Sequence, residues 1–468
     1  MSEFIFKRQQ PLLTIGVIAL SLFSTGAVLF DTSRPMCYSL LWLLPLGYLL
    51  SFSFLFLTNT VGGQLYHVIV VAVYFVRMVI TPAIMMAGEY ESVIPPNLIA
   101  SNADIAILLM CLENFFVFVF LSYLSKKDIS FFSEDLQNKP HYDRPSFKLF
   151  IGITALVVLM IVIIRMDSSI TKAVFLNILD TDDTYYALSD TDSGVGTLSM
   201  FVELLSALFK VVQIILPPFL LFFIAKIRLR VIRMSLIIAL LILVCLYATE
   251  DRIDAILAGF ALLMTSRDSL DKVFKKTSIA LIVLLILISV LGVSIKGHSE
   301  ALISPEASST FASYFSGVPT VAAGLDFVGR EGTFRIYQVV PDFVSKIPFA
   351  SYAIKLFLGI SVFNSNQLFN QYLIGMMGYG TGQILPTTIV GCRYFGYPLY
   401  FIFPLLLILL ARYYCKKIYF QNNIVIRNLY YWITISVALS PVVMSGLLIV
   451  GKLSWFYISL IFVKFLSR

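Results

Sequence analysis

GYGTGQILPTTIVGCRYFGYPLYFIFPLLLILLARYY, Gly378 to Tyr414, passes from glycine and polar residues through Pro386 into an apolar run that closes on Arg412. A helix needs about 20 mostly apolar residues to cross hydrocarbon. The stretch from 386 to 411 has that length, and Arg412, Lys416 and Lys417 follow it. It reads as a membrane-spanning helix whose basic end faces the cytoplasm. The rest of the chain repeats the pattern. Its 468 residues are 59% hydrophobic and 13% charged, with mean hydropathy +0.90, where soluble domains carry roughly a quarter charged residues. The expected fold is therefore an all-α polytopic membrane protein, one integral domain over 1–468 with about twelve transmembrane helices.

Outward from Gly378–Tyr414, further spans are read at about 11–30, 37–57, 67–87, 103–124, 149–165, 199–224, 234–249, 253–266, 277–296, 429–450 and 452–466. The span at 253–266 is too short to cross unless it borrows residues from the charged turn before it. The first follows only a short basic lead and has no small-residue cleavage site behind it, so it reads as a retained helix. With the N-terminus inside, KIRLRVIR, RDSLDKVFKK, SKKDIS and ARYYCKK all fall on the cytoplasmic side. Lysine and arginine then favour the inside by about two to one, and both termini are expected in the cytoplasm. This orientation accounts for the net charge of +7 without nucleic acid as a partner. Five scattered cysteines and three isolated histidines form neither a disulfide framework nor a metal-binding pattern; no metal and no cofactor is expected.

Two outer loops are enlarged. The first, 166–198, is rich in aspartate; the second, 297–385, is long enough to require short helices of its own, with apolar patterning broken at Pro341 and Pro348. Charges inside the spans need partners, because a central one costs about 2.5 to 3.5 kcal/mol on insertion scales. Arg77 and Glu113 sit midway along the third and fourth spans and are expected to pair. Glu203 and Lys210 share one face of the sixth span, close in depth to Glu250, Asp251, Arg252 and Asp254 of ATEDRIDAIL. A polar cavity open to the outside is one reading, a solvated turn the other.

The second loop supplies candidate chemistry. Arg330 and Arg335 in VGREGTFRIYQ offer planar, paired donors suited to phosphate. FNSNQLFNQYLIG brings Asn366, Asn370 and Tyr372, amides and an aromatic face that suit sugars, or else ordinary loop surface. Arg393 and Tyr394 follow at the outer end of the span that opened this reading. There is no GxSxG, HExxH, nucleotide loop or dinucleotide fingerprint, and the DTD at Asp180–Asp182 lies outside. Any transfer reaction should use a donor already activated and borne by the membrane.

In its overall plan, in EDRIDAILAGFALLM with Arg252, and in GQILPTTIVGCRYFGYP, the chain resembles the Wzy-type O-antigen polymerases, the oligosaccharide repeat-unit polymerases of bacterial surface polysaccharide assembly. The second stretch is similar to the family's G-x-x-x-P-[ST]-x-x-x-G-x-x-Y-x-G through Gly382, Pro386, Thr387, Gly391, Tyr394 and Gly396. An arginine followed eleven residues later by glycine, found in some members, does not occur from Arg330, Arg335 or Arg393. The resemblance implies a GT-C-like polymerase-ligase fold with two periplasmic loops, in the inner membrane. It implies metal-independent glycosyl transfer between undecaprenyl-diphosphate-linked glycans, with a chain-length regulator as a candidate partner. In that chemistry Arg252, Arg330 and Arg335 would serve the diphosphate, with Lys210, Asp251, Asp254, Arg393, Asn366, Asn370, Tyr372 and Tyr394 around the substrate. His298 and Glu203 are candidate bases for the acceptor hydroxyl, with Asp251, Asp326 and Glu331 as competitors. A lipid-linked oligosaccharide flippase and an O-antigen ligase are the alternatives. The late, external position of the long loop disfavours the flippase, where two related bundles with short outer loops are expected.

Overall fold

The computed structural model describes residues 2–57, 64–135, 147–166, 211–212, 214–224, 226–247, 252–270, 305–347, 350, 354, 357–358, 362–377, 383–443 and 448–467. Among these there are helices and turns and no strand. That is what lipid imposes on an apolar chain, since a helix satisfies its backbone N–H and C=O groups within itself. In order they are α1 (Ser2–Phe30), α2 (Leu43–Leu57), α3 (Leu65–Phe75), α4 (Thr81–Ala87), α5 (Pro96–Ala100), α6 (Ala103–Asp135) and α7 (Phe147–Met166). Then come α8 (Arg230–Tyr247), α9 (Arg252–Leu270), α10 (Pro305–Tyr314), α11 (Val318–Glu331), α12 (Val339–Val344) and α13 (Ser365–Met377). The last are α14 (Thr387–Phe395), α15 (Ile402–Tyr419), α16 (Ile424–Leu439) and α17 (Leu448–Ser467).

Five helical stretches among the described residues are long and apolar enough to cross a membrane: Met36–Leu55, Leu65–Ala87, Ala103–Asp128, Tyr397–Tyr419 and Ile449–Leu466. Shorter apolar helices include Ile214–Ile224 and Ile424–Leu439. On α6, Ile105, Leu108, Leu112, Phe115 and Val119 form an exposed stripe at helical spacing, while Glu113 and Asn114 are buried. A helix facing water shows the reverse segregation; this one is built to turn its apolar face to lipid.

The chain divides into two compact units. The first comprises Met1–Lys139, Glu300–Cys415 and Thr434–Lys452. Within it α2 packs along α6, and α11 lies against α5, α6 and α14. Val318 to Leu325, Phe327 and Val328 of α11 are all buried, so this helix of the long loop is a core element of its unit. The second unit comprises Pro140–Ser299, Lys416–Ile433 and Leu453–Arg468. There α8 packs on α9, and the Thr265 hydroxyl donates to the Asn428 side-chain oxygen at 2.9 Å. Helix α9 runs from Arg252 to Leu270, so against the span read at 253–266 it gains Arg252 at its start and Arg267–Leu270 at its end, and Glu250 and Asp251 lie outside the described residues.

Several boundaries differ from the sequence reading, which runs 429–450 as one span where α16 ends at Leu439; two of the differences turn on single residues. Pro341 does not break a helix; it occupies the first turn of α12, where its missing N–H is not needed. The apolar run at 386–411 is two helices. Gly396, at φ +76, ends α14 after Phe395, and a 3-10 turn at Tyr397–Leu399 leads into α15. A glycine in that conformation stops a helix at little steric cost, and hydropathy is blind to it.

Candidate functional site

Helix α14 is fixed from several directions within the first unit. The Leu385 N–H donates to Asn366 Oδ1 at 2.7 Å, and Asn370 Nδ2 donates to the Gln383 and Asn366 carbonyls at 2.7 and 2.9 Å. These α13 amides brace the extended backbone ahead of Pro386. The Thr387 hydroxyl donates to the Ser440 carbonyl at 2.9 Å. Gly391 lets the backbone of Tyr400 approach: a Cβ there would lie 2.1 Å from its carbonyl oxygen. At Gly396 a Cβ would meet the Phe334 ring at 2.3 Å.

Beneath α14 lies a charged network. The π-helical turn Val76–Ile80 between α3 and α4 carries Arg77, and Arg77 Nη1 meets Glu113 Oε1 at 2.8 Å with both side chains fully buried. The expected pair therefore forms. Arg77 also donates to the Ser316 carbonyl at 3.1 Å and the Thr388 hydroxyl at 3.0 Å, while Tyr74 and Thr388 donate to Glu113 at 2.7 and 2.5 Å. Each charge is met by opposite charge and by further hydrogen bonds, the condition under which burying an ion pair is tolerable.

Arg393, five residues beyond Thr388 on the same short helix, is the opposite case. It is 0% exposed, and none of its three guanidinium nitrogens has a hydrogen-bond partner among the described residues. Its guanidinium lies over the Phe327 ring, 5.0 Å from the centroid. Such a contact returns about 2 kcal/mol when desolvated, whereas an uncompensated buried charge costs several kcal/mol even after relaxation. Burial acts to lower its pKa and Arg335 acts in the same direction, while the Asp342 and Glu331 carboxylates oppose. Arginine stays protonated regardless. The arrangement holds a cation with donors unspent, as a bound anion requires.

The surroundings extend this character. After α11 the chain reverses through Gly332 at φ +102 and Phe334 at φ +58, and the Arg335 N–H donates to the Arg393 carbonyl at 2.7 Å. A non-glycine residue in that region costs of order 1–3 kcal/mol and marks a position fixed by its surroundings. Arg335 pairs with Glu331 at 3.0 Å and Arg330 with Asp326 at 3.1 Å, one helical turn apart. The Arg330 side chain is 57% exposed, and its guanidinium also lies over the Tyr372 ring at 5.6 Å. Tyr372 donates to Asp326 and Tyr394 to Asp342, which also accepts the Ser365 hydroxyl at 2.6 Å and its backbone N–H. Burial first, then the neighbouring carboxylate, raises the pKa of both phenols, so near neutral pH they are donors.

Comparison with protein-family models, curated proteins and solved structures finds no match.

Of the residues singled out in the sequence, the first unit brings Arg330, Arg335, Arg393, Tyr372 and Tyr394 around α11 and α14. Asn366 and Asn370 stand on α13 with their amides engaged by backbone. Arg252 and Asp254 lie in the first turn of α9 in the second unit. Glu203, Lys210, Asp251 and His298 lie outside the described residues. Sequence reading missed Asp342, Ser365 and Phe327. For Asp342 there was a signal, a lone carboxylate in the apolar stretch VVPDFV; an aromatic beneath a guanidinium has none in one dimension.

Proposed function

We propose that the chain is a membrane glycosyltransferase that polymerises lipid-diphosphate-linked oligosaccharide repeat units on the outer face of a bacterial inner membrane. The observation that carries this reading is Arg393, fully buried with its donors unspent among the described residues, beside Arg335 and over the Phe327 ring of α11. In this reading an acceptor sugar hydroxyl attacks the anomeric carbon of the donor glycan. The bond from that carbon to the diphosphate oxygen breaks, and the lipid diphosphate leaves with the electron pair. Arg393 and Arg335 stabilise the negative charge that grows on it, the kind of preorganised donor whose loss costs about 2.7–4 kcal/mol in known enzymes. Asp326, 23% exposed and held by Arg330 and Tyr372, takes the acceptor proton. The sequence also offers Arg252 for the diphosphate and His298 and Glu203 as bases; Arg252 stands on α9 in the second unit, and His298 and Glu203 lie outside the described residues. Twelve spans, a GT-C-like fold and cytoplasmic termini belong to this proposal.

The test is to replace Arg393 with methionine in the native host, confirm membrane abundance and resolve the surface polysaccharide on a gel. Collapse to a single repeat unit on lipid core is the expected result, since transport and ligation continue without polymerisation. Loss of even the single unit would identify a flippase or ligase. Normal long chains would remove Arg393 from the chemistry.

A further inference from the structure

Between Arg335 and Ile347 the chain winds through a 3-10 turn at Ile336–Gln338, helix α12 and a closing turn in which the Lys346 and Ile347 N–H groups meet the Phe343 and Val344 carbonyls. Its side chains are segregated in the inverse of the aqueous pattern. Ile336, Val340, Phe343 and Ile347, spaced four, three and four, form one stripe flanked by Tyr337, and these five are 40 to 64% exposed. The opposite face carries Gln338 and Asp342, both buried. Gln338 donates to the Phe363 carbonyl at 3.2 Å, and Asp342 receives Ser365 and Tyr394. Polar groups hold the segment down and apolar groups stand outward. In water this would be an apolar patch without cover; at a bilayer surface it is how an interfacial helix is seated.

Both ends of the segment mark its depth. At one end the Arg335 N–H reaches the Arg393 carbonyl, four residues before the candidate span Tyr397–Tyr419 begins. At the other, a Cβ on Gly451 would lie 3.2 Å from the Lys346 carbonyl oxygen, which places Lys346 against the first turn of the span Ile449–Leu466. If α16, a shorter apolar helix, crosses between them as the sequence reading of a span at 429–450 has it, both spans begin on one side of the bilayer. The segment therefore connects the starts of two candidate spans. Tyr337 has the amphipathic ring that favours a bilayer surface, and Arg335 and Lys346 stand at the segment's two ends, where cations reach lipid phosphates.

We infer that Arg335–Ile347 is an interfacial segment whose stripe of Ile336, Tyr337, Val340, Phe343 and Ile347 enters the lipid headgroup and upper acyl region. Its occupant is bilayer lipid, because the same contacts that hold the segment place it at the ends of spans. This seat would also set Arg393 at the depth of a lipid's phosphate groups. The inference rests on that placement and not on the glycosyl-transfer reading, and it can fail independently of it.

The full chain, with its native cysteines replaced, would carry single cysteines at Val340→Cys, Phe343→Cys, Ile347→Cys and, as a solvent reference, Glu331→Cys. Each would be labelled with an environment-sensitive fluorophore and reconstituted in phosphatidylcholine and phosphatidylglycerol bilayers. The three stripe positions should show blue-shifted emission, quenching by shallow lipid-borne nitroxides and several-fold weaker quenching by iodide than position 331. Iodide quenching equal to that at 331 would mean a solvated surface and overturn the inference. Protection from both quenchers would mean a protein partner, a second copy included, and would overturn it as well. Circular dichroism and size-exclusion elution unchanged from the parent protein would establish that the labelled chains are folded.

Discussion

Arg77 and Arg393 are both fully buried arginines in one unit, and the difference between them is the substance of the site. Arg77 is met by Glu113, Thr388 and Ser316; Arg393 has an aromatic ring and unspent donors. Truncating one partner of a paired buried charge leaves the other uncompensated, so Arg77→Met or Glu113→Leu should lower stability by about 3–5 kcal/mol. Replacing a charge that has no direct partner with an apolar side chain of similar length removes a penalty. Arg393→Met should therefore leave thermal stability unchanged or raised, by at most about 1–4 kcal/mol on the scale of buried charge replacements. A thermal-unfolding comparison of the two variants in detergent checks this; an equal loss at both positions would make Arg393 a structural residue. The Arg77–Glu113 pair was legible in the sequence because two charges at one depth in adjacent spans have few other remedies. Arg393 was legible as a cation near the span boundary, but its isolation depends on what surrounds it in three dimensions.

Helix α14 is only nine residues long, yet it presents Thr387, Thr388, Arg393 and Tyr394 to four different partners. Pro386 opens it, Gly396 ends it, and Gly391 within it admits the Tyr400 backbone. Gly391→Ala would drive a methyl into the Tyr400 carbonyl and force α14 away from the turn into α15. Gly396→Ala adds strain at a positive φ to the clash with Phe334, together of order 1–3 kcal/mol or more. Both variants should unfold at lower temperature and lose activity, and Gly396→Ala should not be rescued by Phe334→Ala, because the backbone strain remains. Recovery of full stability in that double variant would contradict the account. Asp342→Ala should strand the Tyr394 and Ser365 donors at about 1–3 kcal/mol each, loosening α12 from α13 and α14, with destabilisation again the readout. The sequence reading has α14 and α15 as one span and asks only for short helices, unplaced, in the long loop. Where one helix stops was not legible, since the divide between α14 and α15 turns on one glycine within an apolar stretch. The amides of Asn366 and Asn370 look alike in sequence whether they meet sugar or backbone; their spacing from Leu385 and Gln383 is a property of the fold.

At the scale of the molecule, composition and charge asymmetry gave the all-helical, membrane-facing character, because lipid leaves few alternatives to helices. The exposed apolar stripe of α6 and its buried Glu113 express the same constraint within one element. The positive-inside reading puts the turn after α15 in the cytoplasm and the α12 segment outside. A fluorescent-protein fusion after Asn422 should therefore be bright, and an alkaline phosphatase fusion after Ser345 active; the reverse pattern would invert the topology and place Arg393 on the wrong side for a lipid-linked donor.

The most direct measurement is reconstitution. Purified wild-type protein and Arg393→Met would be given lipid-linked repeat units extracted from the host, and the products separated by length. The account predicts a ladder of polymers with the wild type, and with the variant a rate lower by about 10²–10³ at undiminished folded protein. A ladder of equal rate and length from the variant, or none from the folded wild type, would contradict it.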